Sequence, residues 1–141
     1  MHANSARIAV ARKWFIKAEN DLKNAAHTLK LGRKCPTDTV GFHAQQCVEK
    51  YLKAFPVCKG IDFPRTHDIE RLVALLPDNL WLRLSIEEQR RLTTYATVTR
   101  YPGDYEFIPL TEAQQSVRLA RRIRKEIQTL LPKNALQHPK K

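Results

Sequence analysis

Apolar positions recur along most of this chain in steps of three and four, the spacing that places side chains on one face of a helix. Ile8, Ala11, Phe15, Ala18, Leu22, Ala25 and Leu29 make one stripe of a long first helix, with Gly32 as its stop. A connection over Arg33 to Thr37, containing Pro36, leads to a second helix capped by Thr37 or Asp38. In that helix Val40, Ala44, Cys47, Val48, Tyr51, Leu52 and Phe55 share a broad arc, whereas His43, Gln45, Gln46, Glu49, Lys50 and Lys53 fill the other. The apolar arc is expected to face a core. Phe42 projects from the polar arc, beside Gln46, Glu49 and Lys53, so a further apolar contact is expected there, in the middle of a bundle or at a subunit interface. Pro56 is expected to kink or end the helix, because its ring lacks an amide donor and clashes one turn back.

Past a turn-rich stretch from Lys59 to Arg65, Thr66 is the expected cap of a short third helix whose Ile69, Leu72, Val73 and Leu76 share a face, with Pro77 as its stop. Ser85-Ile86-Glu87-Glu88 has the form of a capping box and predicts a fourth helix reaching Arg100. Tyr101-Pro102-Gly103 breaks it. Thr111-Glu112-Ala113-Gln114 repeats the box form ahead of a fifth helix, striped by Ala113, Val117, Ala120, Ile123, Ile127 and Leu131. The pattern predicts an all-α, up-and-down bundle of about five helices over residues 1–132, followed by a basic, disordered tail over 133–141.

Composition agrees with that class and narrows the chemistry. The four glycines are widely spread over 141 residues, which favours helices over sheet in a single domain. Cys35, Cys47 and Cys58 are odd in number and form no Cys-x-x-Cys pair, so reduced thiols are expected, with neither a disulfide framework nor a metal site. Arg7, Arg12 and Lys13 interrupt the first apolar residues, so no secretory leader is expected, and no run is long enough to span a bilayer. The expected location is cytoplasmic, without membrane contact. A net charge of +11, from 25 Lys and Arg against 14 Asp and Glu, points to a polyanionic partner, with nucleic acid first. The alternative is that the basic surface serves only solubility.

Particular side chains carry that expectation. Arg124 falls within the buried stripe of the fifth helix, so it needs an acid partner such as Glu49 or Asp68, or else it contacts phosphate at a groove. Arg118, Arg121, Arg122 and Lys125 lie on an adjacent arc as a strip suited to a nucleic-acid backbone. His43, Gln46 and Lys50 lie one turn apart and offer donors for a phosphate or base, or hydrogen bonds that fix the register of the bundle. His67 and Asp68 open the third helix, where free amides can receive an anion or simply be capped.

Three strings, in order, resemble a known family. Phe42-His43-Ala44-Gln45-Gln46-Cys47-Val48-Glu49-Lys50-Tyr51-Leu52-Lys53-Ala54, Phe63-Pro64-Arg65-Thr66-His67-Asp68-Ile69 and Tyr95-Ala96-Thr97-Val98-Thr99-Arg100-Tyr101-Pro102 resemble the FHAQQ, FPxTHDL and YAxxxRYP signatures of HEPN domains. The resemblance runs from about Trp14 to Leu131. It implies a helical bundle associated with nucleotide or RNA binding, homodimeric, and often paired with a minimal nucleotidyltransferase in toxin–antitoxin-like arrangements. Many such domains are metal-independent ribonucleases that use an Arg and a His separated by four to six residues. Arg100 matches that Arg, but the positions for the His carry Tyr105, Glu106 and Phe107. Neither Tyr nor Phe can exchange a proton near neutral pH, and Glu106 would need a raised pKa to act as a base.

The resulting expectation is a nucleotide- or RNA-binding module that uses Arg100 and nearby basic residues without a cofactor. Two other classes stay open: a ribonuclease toxin in which His43 or His67 replaces the missing His, and a non-catalytic dimeric interaction module.

Overall fold

In the computed structural model, residues 2–80, 82–98 and 107–139 are described. Among them five α-helices follow one another: α1 over His2–Leu29, α2 over Thr37–Lys59, α3 over Ile69–Val73, α4 over Ile86–Val98 and α5 over Leu110–Gln128. A 3₁₀ turn at Gly32–Lys34 links α1 to α2, and another at Lys133–Leu136 follows α5. No strand occurs among the described residues. The all-α bundle expected from the periodicity is the fold.

The second helix is its centre. It packs against α1, α5, α4 and α3, and more than half of its residues are buried. Its apolar arc, with Ala44, Cys47, Val48, Tyr51 and Leu52 wholly buried, meets the stripes of its neighbours. Those stripes are the expected ones: Ala11, Phe15, Ala18 and Ala25 on α1, and Ala113, Val117, Ala120, Ile123 and Ile127 on α5, are all buried. Burying one large side chain of this kind contributes about 1.5–3 kcal/mol, so the stripes set the helix pairing. Near the start of α2, a β-carbon on Gly41 would stand 3.2 Å from Tyr95 Cγ, so the absence of a side chain lets α2 approach α4 closely.

Several boundaries depart from the sequence expectation. Pro56 does not end α2, which continues to Lys59 and closes in a left-handed Gly60 (φ 69°). The Gly60 amide donates to Val57 O and the Ile61 amide to Pro56 O, so the carbonyls of the last turn are satisfied by a Schellman closure rather than lost. The cap of α2 is Pro36, one residue ahead of the expected pair. The cap of α3 is Asp68, whose carboxylate accepts from the Glu70 amide; Thr66 Oγ1 instead accepts from the Asp68 amide in the preceding turn. At α4 the box is made as expected, with Glu88 N donating to Ser85 Oγ and Ser85 N to Glu88 Oε1. At α5 it is not. That helix starts after Pro109, and the Glu112 carboxylate accepts from the Tyr95 hydroxyl of α4, which serves packing between helices rather than a cap.

The stretch after α5 is the plainest correction. In place of a disordered tail, Lys133–Leu136 forms a turn against α1, with Ala135 fully buried. Arg12 Nε donates to Asn134 O at 2.8 Å, and the His138 ring stands edge-on to Phe15 at 5.0 Å. Basic composition hid an apolar anchor, Ala135 and Leu136, that completes the core under α1.

No described helix is long and apolar enough to cross a membrane.

Candidate functional site

Three acids inside the bundle organise most of its interior charge. Glu19, on α1 and only 6% exposed, accepts from Nε and Nη2 of Arg124 at 2.7 and 3.0 Å and from the Tyr51 hydroxyl at 2.7 Å. Gln128 donates to the same hydroxyl oxygen at 3.1 Å, so one cluster joins α1, α2 and α5. Burial pushes the Glu19 carboxyl up, but hydrogen bonds from Arg124 and Tyr51 outweigh it and hold the group below the usual glutamate range. The same cluster raises the Tyr51 phenol, through burial first and the facing carboxylate second.

Asp21, next but one along α1, receives His43 Nδ1 at 2.9 Å and Lys50 Nζ at 2.5 Å. Glu49, on α2, accepts from Lys53 at 2.9 Å and from Gln45 at 2.9 Å, and His67 Nδ1 lies 2.7 Å from it. Burial raises Glu49, and the hydrogen bonds from Lys53, His67 and Gln45 together bring it below the ordinary value. Gln46 donates to Gln45 at 2.7 Å. Lys53, 7% exposed, also places its ammonium 5.5 Å from the centre of the Trp14 ring.

These contacts decide between readings left open by the sequence. Arg124 does have an acid partner, Glu19 rather than Glu49 or Asp68, and its Nε and Nη2 donors are engaged there. His43, Gln46 and Lys50 are used inside the bundle, where they tie α2 to α1 and to itself. Gln45, Glu49 and Lys53, on the polar arc, are buried, and Glu49 meets His67 of the loop ahead of α3. Phe42 is half-buried with its ring edge-on to His43 at 5.5 Å. Arg100 and Glu106 lie outside the described residues, as does Tyr105. Asp68 is spent as the α3 cap.

The strip on α5 remains outward. Arg118, Arg121 and Lys125 are exposed, while Arg122 is half-buried and donates to the Arg83 carbonyl, pinning the loop before α4. Among the described residues Arg118 donates to Gln115 on its own helix, at 3.2 Å. Arg121 and Lys125 join Lys23 of α1 along a groove of about 450 Å³ floored by Leu22, Ala26 and the Glu19–Arg124 pair. Among the described residues no group of His, Cys, Asp or Glu is placed to hold a metal ion. All three cysteines are free, and burial raises the Cys47 thiol far above reactive range.

Sequence reasoning missed Glu19 and Asp21. Both flank the α1 stripe beside Ala18 and Leu22, and a cation inside the α5 stripe was the signal that an acid had to face it.

A helical bundle whose central helix carries FHAQQ and whose capping loop carries FPRTHD is the class this fold defines. The sequence profile of the HEPN domain matches residues 11–130, and the chain belongs to that family. Two solved structures are similar to it. TT1696 from Thermus thermophilus superposes with a TM-score of 0.70 at 29% identity, covering 86% of this chain and 98% of that one. ST0689, an archaeal HEPN homologue, does so with 0.65 at 26% identity, covering 84% and 95%. No curated protein matches the chain.

Proposed function

We propose that this HEPN protein is a nucleotide- or RNA-binding module that holds phosphates without cutting the chain they belong to. The observation that carries this reading is the outward strip of Arg118, Arg121 and Lys125, extended by Lys23 across the α1–α5 groove, on a protein of net charge +11. Guanidinium and ammonium groups at helical spacing release counterions when a phosphate backbone lies along them. In this proposal Arg124 holds the wall of that groove through Glu19, with two of its five donors engaged there. Arg100 adds a phosphate contact in this proposal. Homodimerisation through the face carrying Phe42, a paired minimal nucleotidyltransferase and a cytoplasmic, toxin–antitoxin-like setting belong to the same proposal, on the family resemblance.

The absence of cleavage follows from proton inventory. An Arg can stabilise developing charge but cannot shuttle a proton. The position after Arg100 that would carry the motif's His is Tyr105, Glu106 or Phe107, and His43 and His67 are held by Nδ1 on Asp21 and Glu49, in α2 and in the loop ahead of α3. Replacing Arg118, Arg121, Arg122 and Lys125 by Gln should weaken single-stranded RNA binding by about 10²-fold or more at low salt and flatten its salt dependence. Unchanged affinity would reduce the strip to a solubilising face. Cleavage in chelator, lost in Arg100→Ala and in His43→Ala or His67→Ala, would establish the ribonuclease instead.

A further inference from the structure

Phosphates explain the α5 strip, but that strip offers nothing to a base. The described clefts differ in this respect. The α1–α5 groove has no aromatic wall. A second hollow, between the end of α3 and the start of α4, is lined mostly by aliphatic side chains, with Asp78 and Glu88 against Arg83 and no aromatic wall. The third, of about 510 Å³, lies where the loop ahead of α3 folds over α1 and α2, and it is bounded by Trp14, Lys53, Phe63, Arg65, Thr66 and His67. Its volume is in the range of small-ligand sites, about 300–1,000 Å³.

We propose that this cleft binds a nucleoside monophosphate unit, with the base against the Trp14 and Phe63 rings and the phosphate on Arg65. Trp14 and Phe63 meet edge-on, with centroids 6.5 Å apart and planes at 72°, so the two rings form a corner and not a closed stack. A planar ring can lie against either wall, and base stacking on aromatic side chains tolerates any base. The charge balance favours an anion beside it. Lys53 is matched by Glu49, whose other contacts are Gln45 and His67. Arg65 is exposed and makes no hydrogen bond or ion pair to any described residue, so its five donors are available. With Nδ1 of His67 on Glu49, its Nε2 has no described partner, and the Thr66 hydroxyl stands at the same rim. Aromatic corner, buried ammonium and an unpaired guanidinium are what a nucleotide asks of a protein: a stacking wall and a fixed positive end.

This inference rests on the nucleotide-binding reading but uses different residues, so the two can fail separately. The unit could be a free mononucleotide or one residue of an RNA strand. Calorimetry with adenosine 5′-monophosphate and with a short oligoadenylate, on the wild type, Arg65→Ala, Trp14→Leu and the fourfold α5 variant, separates these cases. Arg65→Ala should weaken binding about tenfold or more, and Trp14→Leu by a similar factor, with unchanged helical circular dichroism as the check on folding. If Trp14→Leu fails to fold, Arg65→Ala still decides, since its side chain is exposed and bonded to no described residue. Binding of the monophosphate that survives the fourfold α5 change makes the cleft a mononucleotide site. Sensitivity to Arg65→Ala seen only with the oligomer makes it a stacking point on a strand. The proposal is overturned if neither probe binds the wild type, or if Arg65→Ala changes the affinity of neither; the Trp14–Phe63 corner then only seats the loop. Oligomer binding that depends on the α5 strip but ignores Arg65 and Trp14 would leave the strip standing and remove the cleft.

Discussion

The seam between α1 and α5 and the seam between α2 and the loop ahead of α3 each bury a glutamate, but they hold it differently. Glu19 is gripped by a guanidinium fork from a helix 105 residues along the chain and by a phenol. Glu49 is gripped by an ammonium one turn along its own helix, by an amide and by an imidazole from the loop. Arg124 keeps 38% of its side chain in solvent, whereas Lys53 is nearly sealed. Geometry is good in both, so the difference lies in what each pair leaves behind when one member is lost. A buried charge without its partner costs far more than the pair itself contributes.

The largest effect is therefore expected at Glu49. Glu49→Ala strands the Lys53 ammonium against Trp14 and frees Gln45 and His67, and should cost about 3–5 kcal/mol in a urea titration. A loss no larger than that of an exposed pair would show that water reaches Lys53 after all.

Arg124→Met comes next, at about 2 kcal/mol, because Tyr51 still donates to Glu19 and the Arg124 side chain is 38% exposed at the α1–α5 groove. Combining it with Glu19→Gln should recover part of the loss, since no buried charge is then left; strict additivity would deny the coupling.

Acid should weaken both seams together. Glu19 and Glu49 are each held below the ordinary glutamate value of about 4.3, so their contribution is complete above that pH. It is lost as pH falls through the depressed folded values. The urea midpoint should be flat from about pH 7 to 5 and fall below about 4, less steeply in Arg124→Met than in the wild type. A pH-independent midpoint would remove the carboxylates from the account.

The smallest change lies outside both seams. Ser85→Ala opens the exposed box at α4 and should cost about 1 kcal/mol, giving the scale on which the two seams are read.

Periodicity made the stripes of α1 and α5 legible, and the Ser85–Glu88 box was legible because both its bonds are local. The need of Arg124 for an anion was legible too, since a cation in an apolar stripe needs an acid or a phosphate to face it. Which acid was not, because Glu19 reads as an ordinary flanking residue until α1 and α5 are set side by side. On the polar arc of α2, Phe42 pointed to a further contact, but a one-helix wheel could not show that the loop through His67 covers Gln45, Glu49 and Lys53. Tyr95 likewise claims Glu112 from a distance that no local pattern carries. The cleft of Trp14 and Phe63 joins residues from α1 and a loop, so no string contained it.

The Glu19–Arg124 contact also bears on how fast the molecule comes apart. It joins residues 105 positions apart, so it closes a long loop, and closure of that length is expected to follow the shorter α1–α2 hairpin. An interaction made after the rate-limiting step slows unfolding while leaving refolding untouched. The guanidinium fork is in that sense a latch: Arg124→Met should steepen the escape from the native state and barely alter the return to it.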